Sequence, residues 1–193
     1  MAHARRPAEA PRVLRSAVLS GCERYRYLLT RTWRRDGRTA VFVLLNPSTA
    51  DARTDDATSR RCIDFAGRWD CSALVVVNLY AWRATDPGEL RDARDPVGPQ
   101  NDAYLVAAAD LAHETGGVIV GGWGRRARPD RVSAVLELPG MRQLTALALT
   151  RAGQPQHPLY LPSHLTPQPW TPLGKHPGTN ASPMARPPEF LGG

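Results

Sequence analysis

No stretch of this chain approaches the roughly 18 consecutive apolar residues of a membrane-spanning helix, so no membrane association is expected. The first residues carry Arg5, Arg6, Arg12 and Arg15 but no apolar core segment, which is not the pattern of a secretory signal. Cysteine is scarce: Cys22, Cys62 and Cys71 are odd in number and lack metal-ligand spacing. A disulfide framework and a zinc centre are therefore not expected, and reduced thiols in a cytoplasmic protein are. There is no G-x-G-x-x-G and no Walker motif, so dinucleotide and P-loop readings lack their key feature. Lysine is almost absent, with Lys175 alone beside 24 arginines.

The 193 residues suggest one domain with loose ends. The net charge of +7 is unevenly placed. Residues 1–40 hold ten arginines against Glu9, Glu23 and Asp36, whereas the rest of the chain balances. This predicts a basic, flexible arm over residues 1–21 that supplies any general affinity for nucleic-acid phosphates. A coding bias towards arginine is the competing explanation. At the other end, seven of the 29 residues from Leu165 onward are proline and few are large and apolar, so a disordered tail is expected over 166–193. Between them lies an expected α/β domain over 22–165.

The organising stretch is Val41 to Cys62, VFVLLNPSTADARTDDATSRRC. Five apolar residues stop at Asn46-Pro47, where proline ends strand pairing. A small polar loop follows, and then a helix from about Ala57 to Trp69 with Cys62, Phe65, Ala66 and Trp69 on one face. Asp55 or Asp56 can cap it. Upstream, Tyr25 to Trp33 reads as a strand, and Asp36-Gly37 predicts an antiparallel hairpin back into Val41 to Leu45. Downstream, strands are expected at Leu74–Val77, Gly117–Gly121 and Leu144–Leu149. Helices are expected over 87–93 with an Asp86 cap, over 100–114, and from Pro129 to about Leu138. This alternation predicts a three-layer α/β sandwich around a mostly parallel four-stranded sheet, with an added N-terminal antiparallel strand. Polar clusters then fall at the carboxyl ends of successive strands: Asn46 to Asp56, Asn78 to Asp86, Gly122 to Gly124, and a last loop delivering His157. α/β proteins bind ligands at that edge.

The segments LNPSTAD, DDATSRRC, VVVNLYAWRATDP, PVGPQND, GGWG and GQPQHPLYL, in this order, resemble the bacterial domain-of-unknown-function family 1643, over about Tyr25 to Pro162. More distantly, strand ends in Asn-Pro, Asn, a Gly-rich turn and His-Pro are similar to the uracil-DNA glycosylase superfamily. That resemblance implies its fold, places Asn46 as the water-activating residue, and makes His157-Pro158 the counterpart of the motif that grips DNA and stabilises the leaving base. Here Ser48 follows Pro47 where the mismatch-specific branch has Gly, and Leu159 follows where the superfamily has Ser.

Hydrolysis of an N-glycosidic bond needs a positioned water, stabilisation of a cationic sugar and a donor to the departing base. The expected catalytic residues are Asn46, Asp51, Asp55 and His157. The expected substrate contacts are Pro47, Ser48, Thr49, Asp56, Arg61, Asn78, Tyr80, Arg83, Trp123 and Gly124. No resident cofactor is expected. The expected partner is a nucleotide or nucleic acid. A non-catalytic nucleotide-binding module is one alternative. A phosphate-ester hydrolase holding Mg²⁺ through Asp51, Asp55 and Asp56 is another. The competing structural readings are equally concrete: Asp55 and Asp56 only cap a helix, His157 is an ordinary loop residue, Asn78 closes a turn and Trp123 belongs to the core.

Overall fold

A computed structural model describes residues 13–48, 50–85 and 87–172. Seven strands form one mixed sheet: β1 (Leu14–Leu19), β2 (Arg26–Thr32), β3 (Thr39–Leu44), β4 (Ala73–Asn78), β5 (Val118–Gly121), β6 (Thr145–Ala146) and β7 (Gln168–Pro169). Their spatial order is β1-β2-β4-β3-β5-β6-β7. The four central strands β4, β3, β5 and β6 are parallel, and β1, β2 and β7 extend the sheet antiparallel at its two sides.

Every residue of β3, TAVFVL, is buried, because helices cover both sheet faces. Val41, Val43, Val75, Val77 and Ile119 face α3 (Asn101–Glu114) and α4 (Pro129–Leu136). Ala40, Phe42, Leu44, Leu74, Val76 and Val120 face α1 (Ala57–Arg68), which contributes Cys62, Phe65 and Ala66. Alternate residues along each strand thus feed two cores, giving three layers. A shorter helix, α2, spans Pro87–Asp92, and its expected cap Asp86 lies outside the described residues. Among the described residues no helix is long and apolar enough to cross a membrane.

The sheet differs from expectation in four places. The hairpin between Tyr25–Trp33 and Val41–Leu45 does not form, since β4 lies between β2 and β3 and pairs with both. The Asp-Gly connection is too long for a two-residue turn. It wraps the start of β4, where Ser72 accepts from the Trp33 and Arg34 N–H groups and donates its own to Arg38. Part of the expected flexible arm is strand β1, registered against β2 along its length. The first residues of the segment expected as a tail are part of the fold, since β7 pairs with β6 and Trp170 is buried. Residues 1–12 and 173–193 lie outside the described residues. The fourth core strand is only Thr145–Ala146.

Candidate functional site

The register of the parallel strands fixes where a site can lie. Leu44 pairs with Asn78, Val43 with Gly121 and Gly121 with Ala146, so the four strands end together. Because β2 runs antiparallel to β4, its first residue, Arg26, arrives at that same edge. Beyond it the loop after β3 is pinned by two buried arginines. Arg26 Nη1 donates to the Ala50 carbonyl at 2.7 Å, and Arg31 Nη2 donates to the Asp51 carbonyl at 2.7 Å. Arg31 is fully buried and its Nε also grips Asp55 Oδ1 at 2.7 Å, while Arg15 takes the other Asp55 oxygen.

These elements enclose a cleft of about 430 Å³. Asn46, Ser48, Asp56, Ser59, Arg26, Arg126, His157 and Tyr160 are among its walls. Asp56 is the cap of α1: it accepts from the Ser59 N–H at 2.6 Å and from the Ser48 hydroxyl. Partial burial pushes the Asp56 carboxyl up. Those hydrogen bonds and the Arg26 charge outweigh it and hold the group below its usual range, so it is an anion at neutral pH. Asn46 Nδ2 donates to the carbonyls of Pro47 at 3.1 Å and Ala84 at 2.9 Å. Two carbonyl partners identify that atom as the nitrogen and leave Oδ1 as an acceptor.

His157 has a defined tautomer. Its Nδ1 accepts from the Leu159 N–H at 3.3 Å, so the proton of the neutral ring sits on Nε2. Burial pushes its pKa down, against an upward pull from Asp56, which keeps the ring neutral at pH 7. The position of this loop depends on Gly122, where a Cβ would come within 2.9 Å of Pro158 Cδ and 3.0 Å of Leu44 Cδ2. The Gly-rich turn and the His-Pro segment are two halves of one packing contact. Arg26 completes the cleft: only 3 % exposed, it is pushed by burial down to about 10, with Asp56 opposing, and its Nε has no partner among the described residues.

Of the expected catalytic residues, Asn46 and His157 meet in the cleft, and Asp51 and Asp55 do not line it. Asp51 closes its own turn by accepting from the Arg53 and Thr54 N–H groups at 2.7 and 2.8 Å. Asp55 is the partner of Arg31. The acid that faces the cleft is Asp56, which the sequence reading places among the substrate contacts and also offers as a base, a helix cap or, with Asp51 and Asp55, a Mg²⁺ ligand. The same division separates the three acids proposed to hold Mg²⁺. Among the described residues no three His, Cys, Asp or Glu side chains come together as metal ligands.

The expected contacts scatter similarly. Ser48 lines the cleft, and Thr49 lies outside the described residues. Pro47 is buried and accepts from the Ala84 N–H at 3.2 Å. Asn78 sits beneath, its Oδ1 3.5 Å from Arg26 Nη2 and its buried Nδ2 without a partner among the described residues. Trp123 is a core residue, edge-on to Trp170 and bonded through its indole N–H to Gln154 at 2.9 Å. With Gly124 it also borders a depression continuous with the cleft. Arg61 lies over Phe65 and donates to the Leu161 carbonyl, tying α1 to the His157 segment. Arg83 lines a smaller hollow beside Ser48, and Tyr80 a separate one beside Arg126.

Arg26, Arg126 and Tyr160 are among the cleft residues that sequence reading missed. Two arginines, Arg26 and Arg31, within the strand segment YRYLLTR are the signal for Arg26, because a charge buried in a strand requires partners or a ligand. Tyr160 is 81 % exposed beside His157, and nothing in its surrounding pattern marks it.

A family model described as "Protein of unknown function (DUF1643)" matches residues 26–159, and the chain belongs to that family. No curated protein and no solved structure matches the chain.

Proposed function

We propose that the cleft hydrolyses an N-glycosidic bond of a nucleotide or of a nucleic acid, in the manner that the likeness to uracil-DNA glycosylases implies. The observation that carries this reading is the neutral His157, whose Nε2–H is a donor in the same cleft as an anionic Asp56 and the Asn46 acceptor. In this mechanism Asn46 Oδ1 orients a water towards the anomeric carbon. As the bond to the base breaks, its electron pair leaves with the base, and the Asp56 anion stabilises the cationic sugar. His157 donates a hydrogen bond to the departing base without giving up its proton. Asp56 takes a proton from the attacking water, and that proton ends on the free base. Tyr160 offers an exposed ring on which a base can stack. A non-catalytic nucleotide-binding role rests on the same walls and is favoured by the unpartnered donor of buried Arg26.

The pH dependence follows from the two shifts. Both pKa values are lowered, so the working pair, anionic Asp56 and neutral His157, persists through neutral pH. Protonating His157 puts a second N–H against the Leu159 N–H and breaks their bond. The rate of base release should be level at neutral pH and fall on the acid side with a midpoint below the ordinary histidine value of about 6.5. A profile that rises as pH falls through 6 would mean that a cationic His157 is the working form and would contradict the mechanism.

A further inference from the structure

We infer that the cleft continues into a phosphate-binding subsite centred on Arg126. This rests on the nucleotide-directed reading and assigns the residues that hold the phosphate of that substrate. Arg126 and Arg125 lie on the 3₁₀ turn Gly124–Arg126 that follows the Gly-rich strand end. That turn is anchored beside the His157 loop: the Gly124 N–H donates to the Pro155 carbonyl at 2.8 Å, and its φ of +71° is a conformation that suits glycine. The position of Arg126 relative to His157 is therefore set by backbone contacts and not only by a long, solvated side chain.

Arg126 borders the main cleft and the depressions on two of its sides. One of these, of about 390 Å³, shares Leu45 with the cleft and is also walled by Arg91, Arg94 and Arg128. Among the described residues no acidic side chain lines it. Arg91 and Arg128 pair with Asp92 and Asp130, but Arg94 and Arg126 have no ion pair among the described residues. Buried Arg26, on another wall of the cleft, adds a cationic donor that lacks a partner. The two guanidinium groups without an ion pair, Arg94 and Arg126, face a hollow that no carboxylate lines among the described residues, and they match a phosphate, which accepts two parallel N–H bonds from one arginine. Of the arginines in the expected N-terminal arm, Arg15 is engaged by Asp55, and Arg5, Arg6 and Arg12 lie outside the described residues.

The test is binding by the full chain to four probes: inorganic pyrophosphate, a nucleoside, its 5′-monophosphate and a short single-stranded DNA. The monophosphate should bind at least tenfold more tightly than the nucleoside, and that preference should collapse in the Arg94→Ala/Arg126→Ala variant. Both side chains are exposed, so folding is not at stake, and a melting curve checks it. On single-stranded DNA the same variant should lower the log–log salt slope by about 1.4, at roughly 0.7 per lost phosphate contact. Arg151→Ala, an exposed arginine outside the cleft, should change nothing. DNA far tighter than the monophosphate identifies polymer phosphates as the source, and comparable binding identifies a free nucleotide; either supports the subsite. Equal binding of nucleoside and monophosphate, an unchanged double variant, or no binding of any phosphate probe overturns it. If the phosphate preference holds but no base is ever released, the subsite stands and the hydrolase reading falls. If base is released equally from nucleoside and monophosphate, the reverse is true.

Discussion

Asp56→Asn should slow base release by about 10²- to 10⁴-fold, the usual contribution of a positioned general base, with little change in stability. The substitution separates two roles that coincide in one side chain. As a cap, Asp56 accepts from the Ser59 N–H at the start of α1, and asparagine performs that task as well as aspartate. As a chemical group it supplies negative charge to the sugar and a site for the water's proton, and the amide supplies neither. The loss should therefore appear in kcat more than in KM, with the melting temperature nearly unchanged. Unchanged turnover would return Asp56 to the status of a helix cap.

The largest effect on folding is expected at Arg31. Its guanidinium is completely buried and bonds Asp55, the Asp51 carbonyl and the Thr30 carbonyl at 2.7 Å each. Arg31→Ala leaves the largely buried Asp55 carboxylate with Arg15 as its remaining cation and withdraws the donor that Arg31 supplies to two carbonyls. Removing one partner of such a pair costs about 3 to 5 kcal/mol, measurable by denaturant unfolding. Arg31→Lys should recover only part of it, because an ammonium cannot reproduce the geometry of a guanidinium reaching three acceptors on two elements. A loss below about 1 kcal/mol would show that the loop ahead of Asp56 is held by something else.

These two residues also mark the limit of what the sequence discloses. Apolar periodicity places α1, α3, β3, β4 and β5 within a residue or two, because each is an unbroken pattern facing a core. Asn46 is legible as a polar residue just past a strand end, and His157 as the one histidine of the Pro-rich loop after the fourth strand. Which of Asp51, Asp55 and Asp56 faces the cleft is not, since three acids in one loop look alike until Arg31, far upstream, claims one of them. The strand order failed for a related reason: an Asp-Gly pair argues for a local turn, whereas β4 enters between β2 and β3 from much later in the chain. The edge strand β1, exposed over its first half, leaves only weak alternation to read. Arg126 and Tyr160 are exposed, so burial imposes no pattern on them. Their importance follows from the fold alone.

The most direct measurement is chromatographic detection of free base after incubating the protein with single-stranded DNA and with nucleotides of each base, in the presence of EDTA. The account predicts that the unmodified protein releases base from at least one of these, leaving the sugar–phosphate intact, and that His157→Ala lowers the rate by about 10²- to 10³-fold, the effect of removing one donor to a developing anion. Release of inorganic phosphate without free base, or base release that His157→Ala leaves undiminished, would contradict it.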